Sequence, residues 1–238
     1  HRYHIFGRWW SPDWARFRHI AAIGTPIALT ITAEAGIFGA AAFLMGNIGA
    51  SELAAHTVAL QIAALAFQVP FGVGQAATIR VGYFYGARDE GGIRRAGWTA
   101  IVVGTGFMVL TALAMVVIPK PLIAIYVDPW DPKNAVLVGF ALQYIVIAAA
   151  FQLFDGMQAV AAGALRGLQD TRIPMWIAAF AYWVPGIGTA LVLGFATPLE
   201  GTGVWIGLAT GLTFAAALLG WRWHRREALG LTLRPASR

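Results

Sequence analysis

The chain has 238 residues, of which 58% are hydrophobic and only 12% are charged. Soluble domains usually carry about a quarter charged residues, so the composition excludes an ordinary soluble domain and indicates that lipid surrounds much of the chain. There is no cysteine, which excludes disulfides, thiol catalysis and cysteine-ligated metal. The chain opens with His1 rather than methionine, and we expect it to be a piece of a longer protein.

The segment before the first long apolar stretch, residues 1–19, has the features of a short helix at the membrane surface. Ser11 can cap such a helix, Pro12 suits its first position, and Asp13 favours its positive end. Aromatic residues alternate with arginines around it, as is typical of an interfacial anchor; they are Trp9, Trp10, Trp14 and Phe17. We predict a linker helix at 1–19, a membrane lobe at 20–224 and a basic tail at 225–238.

Six apolar stretches follow, each long enough to cross a membrane. A hydrocarbon core about 30 Å thick needs roughly 20 apolar residues in a helix, and backbone polar groups inside it must pair within the segment. Turn or charge signals separate the stretches, which lie at 20–47, 53–82, 96–118, 134–164, 174–197 and 202–223. The predicted fold is therefore an all-α integral membrane protein with six transmembrane helices.

The basic residues predict the orientation of these helices. Fifteen of the 17 lysines and arginines lie before the first span, around the second and fourth connections, or at and after the end of the sixth span. Only Lys120 and Lys133 lie on the other side. Cytoplasmic loops carry the excess of basic residues, so we predict that both termini are cytoplasmic. The net charge of +6 then reflects topology, and no nucleic-acid partner is expected.

Two carboxylates lie deep in the predicted spans. At 1.5 Å per residue, Glu34 is about 21 Å and Asp155 about 15 Å from the inner ends of their helices, so both can lie at overlapping depth. An aspartate at a helix centre costs about 3 kcal/mol on insertion scales, and such residues mark ion sites or relays. No intramembrane lysine is available to neutralise them. The pair favours a cation site over the alternative of protonated carboxyls that only join helices.

Amide side chains recur in the same spans. Gln152 and Gln158 flank Asp155 at intervals of three residues, which predicts one side of the fourth helix. A second stripe recurs every seven residues on the second helix and consists of Gln61, Gln68 and Gln75. His56 lies one to two turns before Gln61 in the same helix. Such residues either line a cavity or form hydrogen bonds between membrane helices, and the pattern does not separate the two. For His56 we favour a structural role, and for Arg80 and Arg166 side chains that extend to the membrane surface.

Three prolines lie inside the predicted spans: Pro26, Pro70 and Pro185. Each removes a helix hydrogen bond and can bend the axis. Bent or broken helices near a polar midplane are a recurrent feature of secondary transporters. Small residues beside the prolines also permit close packing, so bends alone do not demonstrate transport.

Several motifs occur in a familiar order along nearly the whole chain. They are Gly24 with Pro26 and Glu34; Leu53-Ala54-Ala55-His56; Arg80-Val81-Gly82; Phe151-Gln152 with Asp155-Gly156 and Gln158; Ala164-Leu165-Arg166-Gly167; Tyr182-Trp183; and Gly203 to Leu208. In this order the chain resembles the C-terminal half of multidrug and toxin extrusion (MATE) transporters of the NorM type.

The resemblance implies one lobe of a twelve-helix antiporter of the bacterial inner membrane. Such antiporters export cationic, amphipathic drugs or toxins in exchange for Na⁺ or H⁺, and they need an N-terminal six-helix lobe, which is expected as the missing partner. Glu34 and Asp155 fall on the family's acidic positions for the coupling cation, Na⁺ if the protein is sodium-coupled. Phe151 stands where sodium-coupled relatives can carry tyrosine, so the choice between Na⁺ and H⁺ stays open.

From these observations we expect cation binding at Glu34 and Asp155 and no cofactor. The candidate cavity-lining residues are Phe151, Gln152, Gln158, Gln75, Gln68 and His56. A lipid-linked oligosaccharide flippase is the nearest alternative, but the deep charges are acidic, whereas a pyrophosphate would require basic groups. A structural membrane subunit is the other alternative. An enzyme is not expected, because the sequence has no paired-histidine motif, nucleophile elbow or P-loop.

Overall fold

The computed structural model describes residues 13–232, and all of its long elements are helices. Six helical segments in this part of the chain are long and apolar enough to cross a membrane. The elements are α1 (Trp14–Ile48), α2 (Ala50–Gly86), α3 (Glu90–Val117), α4 (Pro119–Ile123), a 3₁₀ turn (Pro132–Asn134), α5 (Ala135–Gly167), α6 (Arg172–Ala181), a π-helical turn (Tyr182–Gly186), α7 (Ile187–Phe195) and α8 (Glu200–His224). The predicted all-α fold with six spans is confirmed.

Two helices, α1 and α3, begin well before their apolar stretches, because a polar side chain caps each of them outside the hydrocarbon length. At the start of α1, the Asp13 carboxylate accepts a hydrogen bond from the backbone N–H of Arg16 at 3.1 Å. Asp89 does the same for Gly92 at the start of α3, at 2.9 Å. Side-chain caps of this kind satisfy donors that the helix itself leaves free. Hydropathy locates the part of a helix within lipid and not the point where its hydrogen bonding stops.

The predicted boundary at residue 19 does not coincide with a helix end. From Trp14 onward the chain is one continuous helix to Ile48, with no proline or glycine between residues 14 and 20 to interrupt it. Ser11 and Pro12, the rest of the predicted linker before residue 13, and the tail beyond residue 232 lie outside the described residues.

The three intramembrane prolines have different local outcomes. Pro26 and Pro70 lie inside the continuous helices α1 and α2. Pro185 lies in the π-helical turn between α6 and α7, so that the fifth span consists of two α-helical halves. A π turn inserts extra backbone into the helix and changes the direction of the side chains that follow, and such turns are frequent at functional sites.

Glycine permits the closest helix contacts in the lobe. A Cβ atom at Gly207 of α8 would overlap the backbone nitrogen of Ala190 in α7, and one at Gly203 would overlap the backbone of Leu193. Between α2 and α5, a Cβ at Gly163 would lie 2.9 Å from the Cα of Gly74. Without a hydrophobic driving force between helices in lipid, such backbone proximity is a principal source of helix association. The glycines therefore hold α7 on α8 and α2 on α5.

Candidate functional site

One amide joins the two deep carboxylates. The Nε2 of Gln158 in α5 donates to Oε1 of Glu34 in α1 at 3.1 Å and to Oδ1 of Asp155 at 3.2 Å. Asp155 and Gln158 are buried and Glu34 is half-buried. The structure thus brings Glu34, Asp155 and Gln158 together, although Glu34 is more than a hundred residues from the other two in sequence. Both N–H bonds of the amide are used for the two carboxylates.

Tyr182 fixes the other end of this amide. It is the first residue of the π-helical turn, it is fully buried, and its hydroxyl donates to Oε1 of Gln158 at 3.0 Å. The π turn packs on α8, since a Cβ at Gly211 would lie 3.0 Å from the Cα of Gly186. It also touches α1, where a Cβ at Gly36 would lie 2.8 Å from the ring of Trp183. We call Glu34, Asp155, Gln158 and Tyr182 the polar cluster.

The polar cluster makes no ion pair with a basic side chain. Within residues 13–232 the ion pairs are Arg16–Asp13, Arg222–Asp170 and Arg226–Glu227, so no basic nitrogen lies within 4.0 Å of Glu34 or Asp155. Arg166, half-buried on α5, interacts electrostatically with Glu34 from beyond ion-pair distance. The hydrogen-bond donors that contact the two acids are therefore neutral. This arrangement attracts a cation, because burying a carboxylate without a countercharge is expensive.

A cation at the cluster would be held by oxygen atoms. No group of three histidine, aspartate or glutamate side chains lies close enough together to hold a metal ion anywhere in residues 13–232. Beyond the two carboxylates, the neutral oxygens available are the Gln158 carbonyl and the Tyr182 hydroxyl. Hard cations take carboxylate, carbonyl and hydroxyl oxygens as ligands, so the residues present fit such an ion, and a proton equally.

Gln152 does not join the polar cluster. Its Nε2 donates to Oγ1 of Thr111 at 3.0 Å and to the carbonyl of Met108 at 3.4 Å, both in α3. Three helical residues span 300°, so each such step turns a side chain by about 60° around the axis. Two such steps separate the two glutamines, so Gln152 faces α3 whereas Gln158 faces α1. Gln152 thus connects two helices inside the lobe.

His56 and Phe151 lie in an aromatic cluster next to the polar cluster. Both are buried against Trp205 of α8, with ring centroids 5.4 Å and 5.6 Å from it, and Phe38 lies 6.2 Å from Phe151. Neither imidazole nitrogen of His56 has a hydrogen-bond partner among the described residues. These two candidates for cavity lining thus lie in the packed interior of the lobe.

Gln68 and Gln75 lie on the outside of the lobe. Both are exposed on α2, and Gln61, which completes the stripe, is exposed as well. Gln68 has a weak bond from its amide to the carbonyl of Ala64 at 3.5 Å, within its own helix. The structure therefore does not bring this stripe together with Glu34 and Asp155, and it leaves the amides on a surface that another element or a water-filled space can cover.

Sequence reasoning did not identify Tyr182 as a site residue. The available signal was helical spacing, since Tyr182 lies on the same buried face as Pro174, Ala178 and Ala181 of α6. A buried tyrosine hydroxyl needs a partner, and the amide of Gln158 supplies it.

The comparisons with known proteins agree with the fold and the sequence motifs. The family model MatE matches residues 26–192. A probable multidrug resistance protein NorM from Mesorhizobium japonicum is 50% identical over 228 residues, which is 96% of this chain and 49% of the relative. The multidrug resistance protein NorM of Burkholderia vietnamiensis is 43% identical, over 90% of this chain and 49% of the relative. The chain spans about half the length of the curated relatives it matches.

Solved structures share the fold. A crystal structure of a MATE protein in the bent conformation superposes with a TM-score of 0.82 at 20% identity, over 94% of this chain and 48% of the other. The eukaryotic MATE transporter AtDTX14 gives a TM-score of 0.75 at 23% identity, over 92% of this chain and 50% of the other. The family consists of transporters and not enzymes, and its matched relatives are bacterial multi-pass membrane proteins. With its six apolar helices, this multi-pass membrane chain belongs to the MatE family.

Proposed function

We propose that this chain is the C-terminal lobe of a secondary active antiporter that exports cationic, amphipathic drugs or toxins in exchange for Na⁺ or H⁺. It would work with an N-terminal six-helix lobe, and both of its termini would be cytoplasmic. The observation that carries the proposal is the polar cluster. Two carboxylates on neighbouring helices share one neutral amide in an apolar interior, with no basic nitrogen within ion-pair distance.

In this proposal the coupling cation competes with the amide of Gln158. When Glu34 and Asp155 are without a cation, the two N–H bonds of Gln158 stabilise their charges. A cation that enters the site neutralises the acids and displaces at least one of these bonds. Because Glu34 lies on α1 and Asp155 on α5, loading changes the attraction between the two helices. A ligand shifts a conformational equilibrium only through its different affinity for the two states, and helix rearrangement supplies that difference.

The amides of α2 would face the other lobe or the cavity between lobes. Gln68 and Gln75 are exposed in the isolated lobe, and an amide directed into hydrocarbon loses its hydrogen bonds to water. A surface next to the partner lobe or to water avoids this cost. The exposed amides would then contact the transported drug or polar groups of the N-terminal lobe, while Phe151, Gln152 and His56 support the site from within.

Neutralising each acid in the intact two-lobe protein tests the proposal. We expect Glu34→Gln and Asp155→Asn to abolish the ion-dependent part of efflux of a fluorescent cationic dye from proteoliposomes with an imposed Na⁺ or pH gradient. Asp128→Asn is the matched control, because it makes the same chemical change on an exposed loop residue. Wild-type efflux from both acid variants would refute the cation site.

The same variants separate the alternatives. A structural subunit would tolerate both neutralisations with unchanged assembly of its partner. A flippase for an anionic, lipid-linked sugar would transport its substrate without dependence on these acids. Running the assay with a Na⁺ step at constant pH, and then with a pH step at constant Na⁺, identifies the coupling ion.

A further inference from the structure

A cleft between α2 and α3 lies apart from the polar cluster. It encloses about 610 Å³, and its walls include the side chains of Arg80 and Arg95 together with small and apolar residues: Ala76, Ala100, Val73 and Val103. The two arginines and Thr99 supply its polar lining, and the remaining wall is hydrocarbon. The cleft is thus an open, largely apolar groove that two arginines help to line.

The two arginines of the cleft have no carboxylate partner. In the described part of the chain, no aspartate or glutamate oxygen lies within 4.0 Å of Arg80 or Arg95. Arg80 instead lies over the rings of Tyr83 and Phe84, at 5.8 Å and 5.0 Å from their centroids. Two like charges that line one cleft destabilise each other unless an anion lies between them. The charge arrangement therefore calls for an anionic ligand.

The depth of the arginines matches the membrane surface. Arg80 is about 9 Å from the end of α2 and Arg95 about 7.5 Å from the start of α3, so the antiparallel helices bring them to a common level. Trp98 and Tyr83, both exposed, lie near the same level. Exposed tryptophan and tyrosine are typical of the headgroup region. From this level the groove continues toward Val73 and Val103, which lie deeper in the spans.

The cleft opens on a different side of α2 from the exposed amides. At 3.6 residues per turn, Ala76 and Arg80 lie about 80° and 120° around the helix from Gln68, whereas Gln75 repeats the direction of Gln68 to within about 20°. The amide surface is the one that the proposed function assigns to the other lobe or the cavity. The cleft opens about a third of a turn away from that surface.

We propose that this cleft binds one anionic phospholipid. The phosphodiester would lie between the guanidinium groups of Arg80 and Arg95 and accept hydrogen bonds from them, as arginine favours for phosphate. One acyl chain would follow the groove past Ala76, Ala100 and Val103. A zwitterionic lipid carries its own positive charge next to the phosphate and would bind more weakly.

Native mass spectrometry of the intact two-lobe protein tests this site, with phosphatidylglycerol and phosphatidylcholine of the same acyl chains as the probes. We expect the double variant Arg80→Gln, Arg95→Gln to retain phosphatidylglycerol about 10- to 30-fold more weakly, with little change for phosphatidylcholine. The control Arg88→Gln, Arg225→Gln removes the same charge from exposed positions outside the cleft, and should bind as the wild type does. Equal retention of phosphatidylglycerol by the two double variants would overturn the proposal.

Two further measurements keep the test independent of charge and folding. Ala100→Trp fills the groove without changing its charge and should weaken retention of both lipids. A nitroxide on Val103→Cys, in a cysteine-free background, should be accessible to oxygen in liposomes. If that nitroxide is shielded from oxygen and Ala100→Trp retains both lipids, the other lobe covers the cleft and the lipid site is refuted.

Discussion

The replacement Gln158→Leu tests the proposed competition between amide and cation most directly. The substitution keeps an apolar side chain of similar size and removes both N–H donors to Glu34 and Asp155. A hydrogen bond to a charged group contributes about 1.5 to 3 kcal/mol. If a cation displaces one such bond when it binds, removing that bond in advance favours binding by at least about 1.5 kcal/mol, which is roughly a tenfold change in affinity.

We therefore expect the half-saturating concentration of the coupling ion to fall about tenfold or more in Gln158→Leu. Maximal efflux should also fall, because a cation that binds more tightly is released more slowly. The measurement is the initial rate of dye efflux from proteoliposomes of the intact protein, as a function of Na⁺ concentration at fixed pH and of pH at fixed Na⁺.

Gln152→Leu is the matched control for this experiment. It makes the same substitution in the same helix, but Gln152 donates to Thr111 and Met108 of α3 rather than to the carboxylates. Its half-saturating ion concentration should equal that of the wild type even if its stability falls. An unchanged or increased half-saturating concentration in Gln158→Leu would refute the competition, and an increase would indicate that the amide oxygen is itself a ligand.

Three other changes have defined outcomes. Tyr182→Phe removes one neutral hydrogen bond, about 1 kcal/mol, and frees the amide to turn, so the half-saturating ion concentration should fall about fivefold in the same efflux assay. Gly207→Ala places a methyl group against the backbone of Ala190 and should lower the free energy of unfolding by about 1–3 kcal/mol, measured by thermal unfolding in detergent. Asp170→Asn breaks the mostly buried ion pair with Arg222, 2.6 Å long. It should lower the free energy of unfolding by a similar amount, roughly 1–3 kcal/mol.

The controls for the stability variants lie in the same chain. A Cβ at Gly188 of α7 would meet no atom within 4 Å, so Gly188→Ala should leave the unfolding temperature unchanged or raise it. Asp128→Asn removes a carboxylate from an exposed loop and should have little effect. Equal unfolding temperatures for Gly207→Ala and Gly188→Ala would contradict the close contact of α7 and α8. For Tyr182→Phe, wild-type ion dependence would show that the hydroxyl does not orient the amide.

The six spans and the proximity of the two acids could be predicted from the sequence, because both follow from the cost of polar groups in lipid. Apolar length defines a span, and Glu34 and Asp155 are conspicuous wherever a charge is expensive. The amide bridge at Gln158 could be predicted only as far as its helix and approximate depth. Which carboxylate oxygen an amide meets depends on how two helices pack, and that is a long-range property.

Sequence reasoning missed Tyr182 and misplaced Gln152 for other reasons. Tyr182 continues the buried face of α6 that Pro174, Ala178 and Ala181 form, but helical spacing does not show which polar group its hydroxyl meets. Gln152 shares the three-residue spacing of Asp155 and Gln158, but the accumulated rotation directs it to α3. Short repeats indicate a helix face only over about one turn.

The π-helical turn divides the fifth span between two neighbours. Its first half, α6, packs mainly on α1, and its second half, α7, packs mainly on α8 through the glycine contacts. A displacement of α1 relative to α8 would therefore load the turn that begins at Tyr182. Tyr182 also orients the amide between the two acids, so helix movement and occupancy of the ion site would be coupled through this turn.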